Sequence, residues 1–154
     1  MRTKTFRVKL ALVVLTLLFI WGNSVLPGSV SGRESGFVLR LCEPLVDALQ
    51  RLLSSRGVEL SQEHIIRKLA HFTEYVVLGV LMLSLFVRPG LRFRMIPPAM
   101  LCLGAALMDE GIQIFAMDRG PSLRDVGLDF CGAVCGIALS TIAVLLLRSI
   151  RRTQ

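Results

Sequence analysis

Lys68, His71, Glu74 and Tyr75 stand inside an otherwise apolar stretch, as do Asp109, Glu110 and Gln113 and, further along, Asp125 and Asp129. On a helix, Lys68, His71 and Tyr75 fall within about 60° of one another with Glu74 beside them, and Glu74 lies roughly 9 Å along the axis from Lys68. Asp109, Glu110 and Gln113 share an arc of about 100°. An imidazole flanked by carboxylates is the usual pairing of a general base with the group that orients it, which makes His71, Glu74, Asp109 and Glu110 the candidate catalytic residues. With Lys68, Tyr75, Gln113, Arg119, Asp125 and Asp129 they make up a candidate ligand-binding polar network. The acids outnumber the bases in it, so the carboxyls are expected to share protons. One histidine with several carboxylates also offers donors to a divalent cation. The spacing makes no tight ligand motif, however, and neither a metal nor a cofactor is expected.

Each of these side chains has a purely structural reading, because polar networks also hold helices together in lipid. That reading is preferred for Asp125 and for the Gly132, Gly136 and Ser140 stripe, a face that another helix backbone can approach closely. For His71, Glu74, Glu110 and Gln113 a functional site is preferred, since ionisable groups inside a membrane are costly and default to function.

The elements that must position them are long apolar runs. Of 154 residues 53% are hydrophobic and 19% charged, and the apolar residues come in runs long enough to cross a hydrocarbon layer about 30 Å thick. The expected architecture is a single all-α membrane domain over 1–154. It has four transmembrane helices at about 10–26, 65–87, 95–117 and 123–147, and an external amphipathic helix at about 36–55. In that external segment Phe37, Leu41, Leu45, Ala48, Leu49, Leu52 and Leu53 fall on one side of the wheel, opposite Arg40, Glu43, Asp47, Gln50, Arg51 and Ser54. The first apolar run resembles a signal peptide, but it lacks an Ala-x-Ala pattern and carries Trp21 late, as an interface anchor would be, so an uncleaved span is preferred.

Orientation follows from the flanks. With the N-terminus inside, the cytoplasmic segments hold Arg2, Lys4, Arg7, Lys9, Arg88, Arg92, Arg94, Arg148, Arg151 and Arg152 and no acidic residue. Short basic cytoplasmic segments are what the positive-inside rule demands. All 11 acidic residues and both histidines then fall in the external half. The net charge of +7 is thus explained by topology, and no basic-aromatic stripe points to nucleic acid. Of the four cysteines only Cys42 falls in an external segment, so no external disulfide is expected; Cys131 and Cys135, with no histidine near, read as packing residues.

The run from Arg67 to Gly79, RKLAHFTEYVVLG, resembles the K-x-A-H-F-x-E-Y-x-x-L-G signature of VanZ-like proteins. Asp109-Glu110, Gln113 and Phe115, followed by Arg119, Ser122, Asp125, Asp129, Gly132 and Gly136, resemble the family's second signature, with Asp129 where many members carry Asn. The Ser35 to Phe37 stretch is similar too, so the likeness runs the length of the chain. It implies a small polytopic protein of the bacterial plasma membrane. The founding member's association with teicoplanin-type glycopeptide resistance implies a protein that lowers antibiotic access at the cell surface.

Three functions are weighed on this basis. The first is an envelope protein whose outward polar site binds or shields a lipid-linked precursor or the glycopeptide itself, surrounded by membrane lipids and open to homo-oligomerisation. The second is an enzyme acting on a lipid headgroup or lipid-linked envelope precursor at the outer leaflet. The third, a carrier, is disfavoured because the inner half holds no ionisable residue to continue a path and no inverted repeat is visible.

Overall fold

The computed structural model describes residues 2–25, 44, 47–52, 54–55, 62–87, 95–115 and 122–150. The secondary structure of the described residues is helical. Four long helices dominate: α1 (Arg2–Val25), α2 (Gln62–Phe86), α3 (Ile96–Gln113) and α4 (Leu123–Ile150). Residues 47–52 form part of a further helix, within the expected amphipathic segment, most of which lies outside the described residues. There Gln62 donates to Asp47 Oδ1 at 3.4 Å, and Leu49 is half-buried while Leu52 is exposed.

Three helical segments are long and apolar enough to cross a membrane: Lys4–Val25, Ile65–Phe86 and Leu123–Ile150. They carry large apolar side chains on their outer faces. Leu15, Leu18 and Phe19 on α1 and Leu139, Leu145 and Leu147 on α4 are all more than half exposed, the pattern of helices surrounded by lipid rather than water. The threonine hydroxyls at three positions in these stretches bond their own helix: Thr16 Oγ1 donates to the Leu12 carbonyl at 2.9 Å, Thr73 to Leu69 at 2.7 Å and Thr141 to Ile137 at 2.8 Å. A hydroxyl with no water to bond is thereby satisfied locally.

α3 differs from the span expected at 95–117. Its 18 residues give a rod about 27 Å long, its last five residues include Asp109, Glu110 and Gln113, and it is not among the helices long and apolar enough to cross a membrane. Pro97 and Pro98 sit in its first turn, where backbone amides have no intrahelical acceptor to lose; the Ala99 amide opens the ladder by donating to the Met95 carbonyl at 3.1 Å. At the other end the Phe115 amide bonds the Ile112 carbonyl at 3.0 Å, a tightened i to i+3 turn that ends the helix earlier than expected.

The contacts between helices fix their directions. On α1, Lys9 Nζ donates to the Ser84 carbonyl of α2 at 2.9 Å and Asn23 to Glu74 at 3.1 Å, so the two run antiparallel. Trp21 Nε1 reaches the Ala105 carbonyl of α3 at 3.4 Å and Ser24 reaches Asp109 at 2.6 Å, so α1 and α3 run parallel. Lys68 meets Asp125 and Phe72 lies against Gly132, so α2 and α4 run parallel too. The chain thus goes up, down, up and down. It brings the C-terminal ends of α1 and α3 and the N-terminal ends of α2 and α4 to one end of the bundle.

The most extensive interface is between α2 and α4, and it is built on glycine. A Cβ placed on Gly132 would lie 2.5 Å from the Phe72 carbonyl oxygen, one on Gly136 would lie 2.1 Å from that of Val76, and one on Gly79 would lie 2.2 Å from that of Ala133. Backbones this close tolerate no side chain at any of the three positions, which is how membrane helices associate where lipid is as apolar as leucine. Ser140, on the same expected stripe, is half-buried. The shared core below the polar end comprises Val13, Ile20, Leu78, Met82, Cys102, Ala105, Ala106 and Ala133, with Tyr75 fully enclosed.

Candidate functional site

The polar end gathers side chains from all four helices. Asp109 is completely buried, and groups from three helices surround it. Ser24 of α1 donates to its Oδ1 at 2.6 Å, Gln113 of α3 donates to Oδ2 at 3.0 Å, and His71 Nδ1 of α2 lies 3.8 Å from Oδ2. Glu74, one turn along α2 from His71, accepts from Asn23 on Oε1 at 3.1 Å. Its Oε2 stands 4.0 Å from His71 Nδ1 and is buried with no hydrogen-bond partner.

Asp129 of α4, 2% exposed, completes a cluster: one donor atom each from His71, Asp109 and Asp129 lie within 4.8 Å of one another. Three helices contribute, so no linear spacing could have revealed the grouping. The hydroxyl of Tyr75 is buried with no hydrogen-bond partner and lies in the electrostatic range of Asp109, Asp129 and Glu74.

Two further carboxylates sit at the edge. Lys68 and Asp125 form an ion pair, each side chain one-third exposed. Glu110 Oε2 accepts from the Ser122 amide at 2.8 Å, tying the end of α3 to the start of α4, while its Oε1 is buried without a partner. Ser122 also holds the N-cap position of α4, its carbonyl accepting from the Asp125 amide at 2.9 Å and the Val126 amide at 3.2 Å. Asp125 lies in the first turn of that helix, where a negative charge complements the exposed amides.

Of the sequence candidates, Lys68, His71, Glu74, Tyr75, Asp109, Glu110, Gln113, Asp125 and Asp129 thus share one end of the bundle, with Lys68 and Asp125 at its margin. Arg119 lies outside the described residues, as does Cys42. Cys102 is buried, whereas Cys131 and Cys135 are exposed free thiols on the outer face of α4. Sequence reasoning passed over Asn23 and Ser24. They close the first apolar run, and small polar residues at the end of such a run look like the start of a loop.

Beside the cluster, a groove of about 300 Å³ runs between α1 and α2, lined by Leu12, Leu15, Thr16, Phe19, Val77 and Glu74. Its walls are apolar except at Thr16, whose hydroxyl bonds its own helix, and at Glu74, the residue that also touches the polar cluster.

The sequence model of the VanZ/LLP1 family matches residues 9–146, nearly the whole chain. The chain belongs to the VanZ family. That range takes in most of α1 and α4, all of α2 and α3 and every residue of the cluster, and with the apolar helices it makes this a membrane protein of VanZ type. No curated protein and no solved structure matches the chain.

Proposed function

We propose that this VanZ-family protein is a four-span protein of the bacterial plasma membrane with both termini in the cytoplasm. Its polar site opens toward the outer leaflet, engages a lipid-linked envelope ligand there, and so lowers access of teicoplanin-type glycopeptides. The alternation of the four helices supports α3 as a span despite its shorter apolar stretch, for an odd crossing number would strand one of its parallel partners. The all-basic flanks support the orientation.

The observation that carries the functional reading is the groove between α1 and α2. Its walls are largely apolar, as an acyl or isoprenoid chain requires, and its one ionisable wall residue, Glu74, stands 4.0 Å from His71. A lipid chain lying there brings its headgroup to the buried cluster. The glycopeptide part of the reading rests on the family.

Protection is tested in a glycopeptide-sensitive host expressing the His71→Ala, Glu110→Gln double variant at the same membrane abundance as the parent chain. Loss of protection is expected; undiminished protection sinks the reading. Reporter fusions at the C-terminus are expected to be active only for cytoplasmic reporters.

A second reading, an enzyme acting on a lipid headgroup or lipid-linked precursor, is favoured by the position of His71 between two carboxylates, Asp109 Oδ2 at 3.8 Å and Glu74 Oε2 at 4.0 Å. A base so placed is oriented for proton transfer. Native mass spectrometry of the detergent-purified protein separates the two. A retained, unmodified lipid supports binding, and a retained cleaved headgroup supports catalysis.

A further inference from the structure

We propose that His71, Asp109 and Asp129 form a binding site for a divalent cation, bordered by the hydroxyl of Tyr75. The donor set is mixed rather than merely acidic, one imidazole and two carboxylates delivered by α2, α3 and α4. Their donor atoms lie within 4.8 Å of one another. Donors at about 2.1 Å from a shared ion stand at most about 4.2 Å apart, and only where two lie opposite one another, so closing the site takes side-chain rotations that draw the three donors together.

His71 Nδ1 faces two carboxylates at once, 3.8 Å from Asp109 Oδ2 and 4.0 Å from Glu74 Oε2.

Independently of the cluster, Tyr75 points to a ligand. It is 0% exposed, its hydroxyl has no hydrogen-bond partner, and three carboxylates lie within its electrostatic range. A buried hydroxyl left unpaired is expensive, and a bound ion with its remaining water would give it a partner.

Charge points the same way. Asp109 and Asp129 are 0% and 2% exposed, and two carboxylates so close in a medium of low dielectric constant repel strongly. A divalent ion with two carboxylates and a neutral imidazole carries no net charge. The surroundings of Asp109 resemble the outer sphere of a metal ligand, with Ser24 holding one oxygen and Gln113 the other, as metal-bound carboxylates are commonly held. With one imidazole and two carboxylates, Mn²⁺ or Zn²⁺ suits the site best. The site stands on its own geometry, whatever lipid occupies the groove.

The test uses the full chain, purified in detergent, stripped with chelator and titrated with Mn²⁺ alone. Electron paramagnetic resonance of free Mn²⁺ is expected to report one ion bound per chain, and electron spin-echo modulation of the bound ion is expected to show coupling to a histidine nitrogen. Asp129→Asn and His71→Gln should each weaken binding at least 10-fold, since losing even an outer-sphere partner costs about 10–100-fold. Far-ultraviolet circular dichroism checks that each variant keeps its helices. No stoichiometric binding by the parent chain, bound Mn²⁺ without nitrogen coupling, or undiminished binding by Asp129→Asn would each overturn the proposal. Because the parent chain alone supplies the first two readouts, a variant that fails to fold leaves the question decidable. Because no envelope lipid is present, the result is separate from the glycopeptide assay.

Discussion

Replacing Gly136 by alanine adds one methyl group, and the α2–α4 seam leaves it no room. The new Cβ would sit 2.1 Å from the Val76 carbonyl oxygen, 2.9 Å from its carbon and 3.1 Å from the Val80 nitrogen. All three are backbone atoms, so no side chain can rotate away. To reach an ordinary contact of 3.4 Å the helices must part by about 1.3 Å, and overpacking of this kind costs about 1–3 kcal/mol. The upper end is expected, because parting the helices also breaks the close contacts at Gly132 and Gly79. Gly104 on α3 is the control. Its added Cβ meets nothing within 4 Å, so Gly104→Ala should stabilise by about 0.5–1 kcal/mol, the helix-interior preference for alanine. Reversible unfolding in mixed micelles, followed by circular dichroism as denaturing detergent is added, measures both. The two variants should move in opposite directions. A Gly136→Ala protein as stable as Gly104→Ala would refute the close packing of α2 on α4.

Two further outcomes follow from burial. Ser24→Ala removes the donor to the Oδ1 of a fully buried Asp109, which should cost about 1–3 kcal/mol in the same unfolding assay; parent-like stability would show that the serine bond contributes nothing. In a Cys42→Ser background, Cys131 and Cys135 should react quickly with a lipid-soluble maleimide and slowly with a charged one, while Cys102 stays silent until the protein is denatured. Equal labelling by the charged reagent would place the outer face of α4 in water.

The helices were readable from the sequence because long apolar runs admit few alternatives in lipid. Their ends were less so: α3 stops at Gln113 because its last turn tightens, a local choice of hydrogen bond that hydropathy does not register. The α2 face was legible for the same reason as the helix, since Lys68, His71 and Tyr75 recur at helical spacing within one element. What was not legible is which carboxylates face them. That Asp109 meets Ser24 across 85 positions, and that Asp129 joins His71, depend on how four helices pack, and no periodicity in one of them encodes it. Asn23 and Ser24 gave no signal at all, for one amide and one hydroxyl make no pattern.

The glycine seam and the polar cluster are one construction. His71 precedes Phe72, whose carbonyl lies against Gly132, and Asp129 stands one turn before Gly132 on the facing helix. The backbone approach that Gly132 and Gly136 permit is therefore what carries Asp129 to within 4.8 Å of His71 and Asp109. Side chains at those glycines would hold α4 away from α2 and leave a carboxylate, 2% exposed at present, facing a gap. On the other side, α1 contributes no charged group to the cluster among the described residues. It contributes Ser24 and Asn23, which orient Asp109 and Glu74. Small residues bring the charged ones together and neutral ones aim them, so substitutions at Gly136 and Ser24 should disturb the site without touching any group that would meet a ligand. That coupling has a measurable form: Gly136→Ala should weaken Mn²⁺ binding as well as stability, whereas Gly104→Ala should leave binding unchanged. Equal binding by both variants would separate the seam from the site and undo this account of how the cluster is assembled.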